Sequence, residues 1–176
     1  MILYIMRHAE AVEASDTLQD EWRYLTENGR ASAEKMSSRI ARYVSKKRIT
    51  ITSPLTRAVQ TAEIVAEQAC RKAVVVASEL LLPGAEISGL VEHLKNSRGA
   101  RRVMLVGHEP QLGLLVAHLL GCTEKVVSLK KGSCLALKLD VGTGDNSATF
   151  LWYLPPGKNR ISSFKKAFPQ NSLENK

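Results

Sequence analysis

The stretch "ILYIMRHAEA" sets Arg7 and His8 directly after the apolar run Ile2–Met6. Burying both without partners would cost roughly several kcal/mol, so the pair belongs where the run leaves the core and a ligand can reach it. Two more apolar runs end in cationic groups, one in Ser53-Pro54-Leu55-Thr56-Arg57 and one in Gly107-His108-Glu109-Pro110, and a third leads toward Glu79. Taken singly, the Arg-His pair reads as a surface or salt-bridged pair, His108 as a helix cap and Arg57 as a solvated helix residue. Together they place two arginines and two histidines beyond the carboxyl ends of successive runs, where open α/β sheets bind ligands. Arginine forks match phosphate oxygens in a bidentate way, and four such groups suit a multiply charged anion better than a carboxylate. A neutral imidazole nitrogen is also a competent nucleophile toward phosphorus. Arg7 and Arg57 should disfavour the imidazolium form of His8, and a ring N–H given to a backbone carbonyl would fix its tautomer. Arg7, Arg57 and His108 then suit the charge that builds on the equatorial oxygens of a transferring phosphoryl group.

Such residues need a scaffold that delivers them to one edge. Ile2–Met6, Ile49–Thr52, Val74–Ala77 and Val103–Val106 are unbroken apolar or β-branched runs, the pattern of central parallel strands covered on both faces. Helical periods separate and follow them: Ala33, Met36, Ile40 and Val44; Ala58, Ala62, Val65 and Ala69; Ile87, Leu90, Val91 and Leu94; and Leu112, Leu115, Val116 and Leu119, stopping at Gly121. Strand and helix alternating four times predict a three-layer α/β/α sandwich around a mostly parallel sheet. From Ser133 the pattern changes to "CLALKLD" and "ATFLWYL" around the turn-rich "VGTGDNS", which predicts an antiparallel hairpin at the sheet edge. Ser53 with Pro54 reads as a helix N-cap and first helical residue, which places Arg57 in an opening turn, and Pro110 starts the helix after His108. The long segment Glu10–Leu25 has no periodicity and follows the Arg-His pair, a place where loops are often functional.

With 176 residues, 44% of them apolar, the chain is sized for one domain with an ordinary core, over 1–154, and a basic, loosely ordered tail over 155–176. No apolar run approaches the roughly 20 residues of a membrane span, and Ile2–Met6 is too short for a signal-peptide core, so no membrane association and a cytoplasmic location are expected. Cys70, Cys122 and Cys134 are odd in number and form no CxxC pair, which predicts neither a disulfide framework nor a zinc site. The net charge of +8 is spread along the chain, with a local excess in Lys158, Arg160, Lys165 and Lys166, and favours an anionic partner. Nucleic acid is not expected, because the basic tail lacks interleaved aromatics and no nucleic-acid motif is present. His93 and His118 lie within amphipathic helices at no ligand-like spacing and read as structural or exposed.

At "MRHAEA", "TSPLTRAVQTAEIV" and "VGHEPQL" the chain resembles the histidine phosphatase superfamily (phosphoglycerate-mutase-like), whose mark is an Arg-His-Gly motif on the first strand. The likeness runs over Met1–Leu154 in the expected order. The short length, "YLTENGR", "SELLLPGA" and the lack of a large inserted cap look like the SixA-type phosphohistidine phosphatases, which act on phosphorylated histidine-phosphotransfer domains. The resemblance implies His8 as phosphoryl acceptor, with Arg7, Arg57 and His108 as the phosphate pocket, and no metal or other cofactor. Ala9 stands where the superfamily has glycine. Relatives acting on phosphate esters supply a general acid after the third strand, and Glu79 holds that place here. Imidazole departing from phosphohistidine needs less protonation than an alkoxide, so a weak acid would suit a phosphoramidate better than an ester. The expected function is therefore a phosphohistidine phosphatase in signal transduction, acting on a phosphorylated protein through a phosphohistidine enzyme intermediate. The competing expectations are a small-molecule phosphomonoesterase for a sugar or nucleotide phosphate with Glu79 as proton donor, and a non-catalytic basic binding module.

Overall fold

In the computed structural model, which describes residues 1–44, 49–69, 73–96, 102–122, 127–140 and 148–169, the apolar runs become strands and the periodic segments become helices. The order is β1 (Ile2–Arg7), α1 (Glu27–Ile40), β2 (Ile49–Thr52), α2 (Thr56–Gln68), β3 (Val75–Ala77), α3 (Ile87–Asn96), β4 (Arg102–Gly107), α4 (Gln111–Leu119), β5 (Cys134–Leu139), β6 (Ala148–Leu154) and α5 (Phe164–Ala167). Short 3-10 turns at Asp20–Trp22 and Glu79–Leu81 interrupt two connections. The six strands form one sheet in the order β3-β2-β4-β1-β5-β6. The first four are parallel, and β5 and β6 add antiparallel at the β1 side.

The unbroken run of β1 is explained by its neighbours. Leu3 and Ile5 enter a core with Leu90 and Leu94 of α3 and Leu112 and Leu115 of α4. Tyr4 and Met6, pointing the other way, pack with Met36 and Ile40 of α1 and Ala58, Ala62 and Val65 of α2. Both faces are covered, so no polar alternation is possible, and each such large side chain contributes about 1.5–3 kcal/mol by burial. The α/β/α architecture and the antiparallel edge hairpin agree with the pattern of the sequence.

The start of α1 is tied to the backbone that follows His8. Thr26 caps it by accepting from the Gly29 N–H at 2.9 Å, while the Thr26 N–H donates to the Glu10 carbonyl at 3.1 Å. Gly29 is needed for this approach, because a Cβ there would lie 2.0 Å from the Glu10 carbonyl oxygen.

Three expectations require correction. Val74–Ala77 is not a central strand: β3 pairs only with β2 at the sheet edge, and Val74 and Val76 are exposed, since a short apolar run cannot report whether a second neighbour will pair with it. The helical period ending at Val44 stops earlier, at Ile40, and a turn carries Val44 into the same core. Of the segment after Leu154, residues 155–169 do not run loose: Ile161 bridges Tyr153, while Phe164 and Phe168 pack edge-on or tilted against Phe150 and Tyr153. Apolar residues spaced between the basic ones pack, half-buried, against β6, a signal hidden by the charge around them. Cys70, the hairpin connection 141–147 and residues 170–176 lie outside the described residues. No described helix is long and apolar enough to cross a membrane.

Candidate active site

The four parallel strands end side by side, and the ladder continues one residue beyond them. The His8 N–H donates to the Gly107 carbonyl at 3.1 Å, that of Ser53 to Val106 at 2.9 Å and that of Ser78 to Thr52 at 2.8 Å. His8 and His108 therefore leave adjacent strands at one level, and their ring centroids lie 4.9 Å apart. Both are buried, with 6% and 3% of their surface exposed.

One carbonyl sets the chemistry of His8. Its Nδ1 lies 2.6 Å from the Ala9 oxygen, which can only accept, so Nδ1 carries the proton and Nε2 keeps a lone pair. Burial lowers the His8 pKa to about 4; the bond to Ala9 opposes this, and the charges of Arg57, Arg7 and Lys131 add to it. Burial likewise takes His108 to about 3, aided by His8 and Arg57. The two rings are thus neutral near pH 7. Neither nitrogen of His108 nor Nε of Arg7 has a hydrogen-bond partner among the described residues, although all three are buried. Buried polar atoms left over in this way call for a ligand with several acceptor oxygens.

The arginines are held from outside the motifs that contain them. Arg7 donates from Nη1 to the Leu129 carbonyl at 2.8 Å. Arg57, in the first turn of α2, donates to the Asp20 carbonyl at 2.6 Å and to its Oδ2 at 3.0 Å. Burial raises the Asp20 carboxyl, but bonds from Arg23 and Arg57 outweigh it and hold it below the usual carboxylate range. The proposed cap at Ser53 is corrected. Its N–H is still spent on the sheet, α2 starts at Thr56 with Leu55 as N-cap, and the Ser53 hydroxyl accepts only from the Leu55 N–H inside the turn. Pro110 likewise takes the N-cap position of α4, one residue before the helix begins.

Ala9 fits its place. It is fully buried with Ala11, Leu25 and Ala33. Its N–H donates to the Thr61 hydroxyl, which in turn donates to the Arg57 carbonyl, so α2 is linked to the backbone after His8. Among the described residues the left-handed backbone positions are glycines, so the methyl of Ala9 carries no strain of that kind. One of those glycines, Gly132, sends its N–H to the carbonyls of Arg7 and His8 from the other side.

Glu79 sits in the 3-10 turn after β3, exposed, its carboxylate without a hydrogen bond or ion pair among the described residues. The turn leans toward the site. Leu81 lies 3.4 Å from where a Cβ on Gly107 would be, and the Gln111 amide donates to the carbonyls of Leu80 and Ala85.

Three participants escaped the sequence reading or entered it only as neighbours. Asp20 lies in the long aperiodic segment flagged as functional, yet nothing in its spacing ties it to Arg57. Lys131 precedes β5 and belonged to no motif. Glu109, which entered only as the neighbour of His108, accepts from the Leu129 N–H at 3.1 Å, so it steadies the residue whose carbonyl holds Arg7. Burial pushes its carboxyl up, against the Leu129 N–H, the Arg7 charge and the Gly113 N–H. Among the described residues no group of three or more His, Cys, Asp or Glu could hold a metal ion.

Comparison with known proteins gives the same direction. Residues 3–80 match the model of the histidine phosphatase superfamily (branch 1). An uncharacterized protein of Picosynechococcus sp. is 31% identical over 150 residues, covering 78% of this chain and 85% of its own. Among solved structures, the protein histidine phosphatase SixA complexed with tungstate superposes with a TM-score of 0.77 at 26% identity, covering 89% of this chain and 97% of that one. The alpha-ribazole phosphatase of Shigella flexneri shares the fold, with a TM-score of 0.67 at 17% identity over 85% of this chain and 94% of its own.

Proposed function

This chain belongs to the histidine phosphatase superfamily, SixA-type, and from that premise we propose that it is a metal-independent phosphatase that removes the phosphoryl group from phosphohistidine on a partner protein. The observation that carries the reading is the state of His8: a buried neutral ring, its Nδ1–H held by Ala9, its Nε2 lone pair free, beside His108.

In the first step the His8 Nε2 lone pair attacks phosphorus and the P–N bond to the substrate imidazole breaks, the departing ring nitrogen keeping the bonding pair and taking a proton. The Ala9 carbonyl stabilises the positive charge that His8 gains. Arg7, Arg57 and His108 receive the equatorial oxygens, which satisfies the buried donors left over in the free enzyme. In the second step water attacks the phosphorus on His8, the new P–N bond breaks with its pair returning to Nε2, and water's hydroxyl leaves on inorganic phosphate while its other proton passes to solvent. Asp20 and Leu129 position the two guanidinium groups and are not consumed.

A second reading, a phosphomonoesterase for small phosphate esters, is favoured by one observation: the turn bearing Glu79 is drawn to the end of β4 by Leu81 and Gln111, where a carboxyl could protonate an alkoxide. Comparing free phosphoramidate, a phosphohistidine-bearing protein and para-nitrophenyl phosphate in the presence of chelator separates the readings. The main one expects turnover that is greatest on phosphohistidine, is lost in His8→Ala and survives Glu79→Gln. Preference for the ester with collapse in Glu79→Gln would establish the second, and no turnover of any of the three would leave a binding module.

A further inference from the structure

We propose that the cleft between α1 and the turn after β6 docks an acidic face of the phosphohistidine-bearing protein, one to two helical turns from its phosphorylated residue. The inference rests on the reading of a phosphoprotein substrate and adds where that protein is held.

The cleft has a volume of about 550 Å³, and its lining includes Lys35, Arg39 and Lys158 with Met36 as an apolar floor and no carboxylate. None of these cations is ion-paired among the described residues, whose pairs involve Arg23, Arg57 and Lys138. Arg39 donates to the carbonyls of Pro155 and Lys158. It thereby fastens the turn to α1 while leaving its charge without an acid. Ordinary surfaces intersperse both signs, so an all-cationic lining attracts anionic partners and speeds their encounter.

The cleft is continuous with the catalytic edge. Leu154 pairs with Cys134, which pairs with Met6, so the turn after β6 emerges at the level of His8. At the near end of the cleft the Ser32 hydroxyl lies 3.5 Å from where a Cβ on Gly132 would be, and Gly132 donates to the Arg7 and His8 carbonyls. From Ser32 to Arg39 the helix rises about 10 Å at 1.5 Å per residue. The cleft thus extends away from a phosphoryl group seated at His8, and a helix that carries the phosphohistidine would set side chains three to seven residues along against it. The lining contains no aromatic ring on which a base could stack, which favours protein over single-stranded nucleic acid.

The test uses a helical-bundle protein phosphorylated chemically on one surface histidine, made with either Glu or Gln at three, four and seven residues to each side. Wild type is expected to turn over the Glu form with a kcat/KM at least tenfold higher, a preference that shrinks as salt is raised. Lys35→Glu with Lys158→Glu should abolish the preference and leave free phosphoramidate turnover within twofold; both lysines are exposed, so the fold tolerates the change. Equal turnover of the two forms by wild type, or an unchanged preference in the double variant, overturns the docking site while leaving the phosphohistidine activity standing. Turnover of neither form by an enzyme active on phosphoramidate or ester overturns the phosphoprotein reading, and the docking site with it. A single-stranded oligonucleotide that outcompetes the Glu form and loses this power in the double variant would assign the cleft to nucleic acid instead.

Discussion

Burial, opposed by the Ala9 carbonyl and aided by the surrounding arginines, gives His8 a proton balance unlike that of a histidine in water. Its ring should titrate near 4, and that of His108 near 3, when followed by NMR of the imidazole carbons. A value near 6.5 for either would mean that the pocket is open to solvent. Because both folded pKa values lie below the unfolded one, the unfolded chain binds more protons as the pH falls. The stabilisation is fully present above about pH 6.5 and is lost as the pH falls toward 4 and then 3. His8 alone accounts for an effect on the order of 3 kcal/mol. Urea titrations at pH 7 and pH 4.5 should show the fall, and His8→Ala should flatten it. Glu109 acts at one remove, through Leu129 and Arg7. Glu109→Ala should weaken binding of inorganic phosphate about tenfold, the loss of one charge-assisted hydrogen bond, with Gln restoring most of it by keeping the acceptor oxygen. Full retention of phosphate affinity in Glu109→Ala would show that Arg7 holds its place unaided.

At the level of elements, the site depends on how closely helices approach the backbone segments that flank the strands. Gly29 and Gly113 make this possible: a Cβ would lie 2.0 Å from the Glu10 carbonyl oxygen in the first case and 2.0 Å from that of Val127 in the second. Both obstacles are backbone, which cannot swing aside. Gly29→Ala should therefore cost about 1–3 kcal/mol by denaturant titration despite its better helix propensity, and it should lower turnover by displacing the segment after His8. Gly84→Ala makes an informative contrast, since open space surrounds it and only its φ of 82° opposes the change. The helices and most strands were legible in apolar spacing because each buries a face that periodicity records. The edge position of β3 and the true start of α2 were not. The first depends on which strands pair, and the second on the Ser53 N–H being claimed by Val106.

Across the whole molecule, the segment 155–169 completes the core cluster on the α3 and α4 side, and its turn forms one wall of the basic cleft. Truncation after Leu154 should lower stability by on the order of 3 kcal/mol or more, since Ile161, Phe164 and Phe168 would no longer cover β6. It should also remove the preference for acidic partners, while His8-dependent turnover of phosphoramidate persists in whatever fraction remains folded. An unchanged urea midpoint would show that the segment contributes nothing to the core.

Much of this protein was already present in its one-dimensional text. Arg7, His8, Arg57 and His108 were legible because each follows directly on an apolar run or opens a helix, and parallel strands deliver their ends to one edge by topology alone. Asp20, Lys131 and the route from Glu109 through Leu129 to Arg7 were not, and neither was the cleft between α1 and the turn after β6. Those contacts join residues far apart in the chain, and hydrogen bonds and charge act through space. No local period records which distant carbonyl an arginine will reach, so only the tertiary structure could decide it.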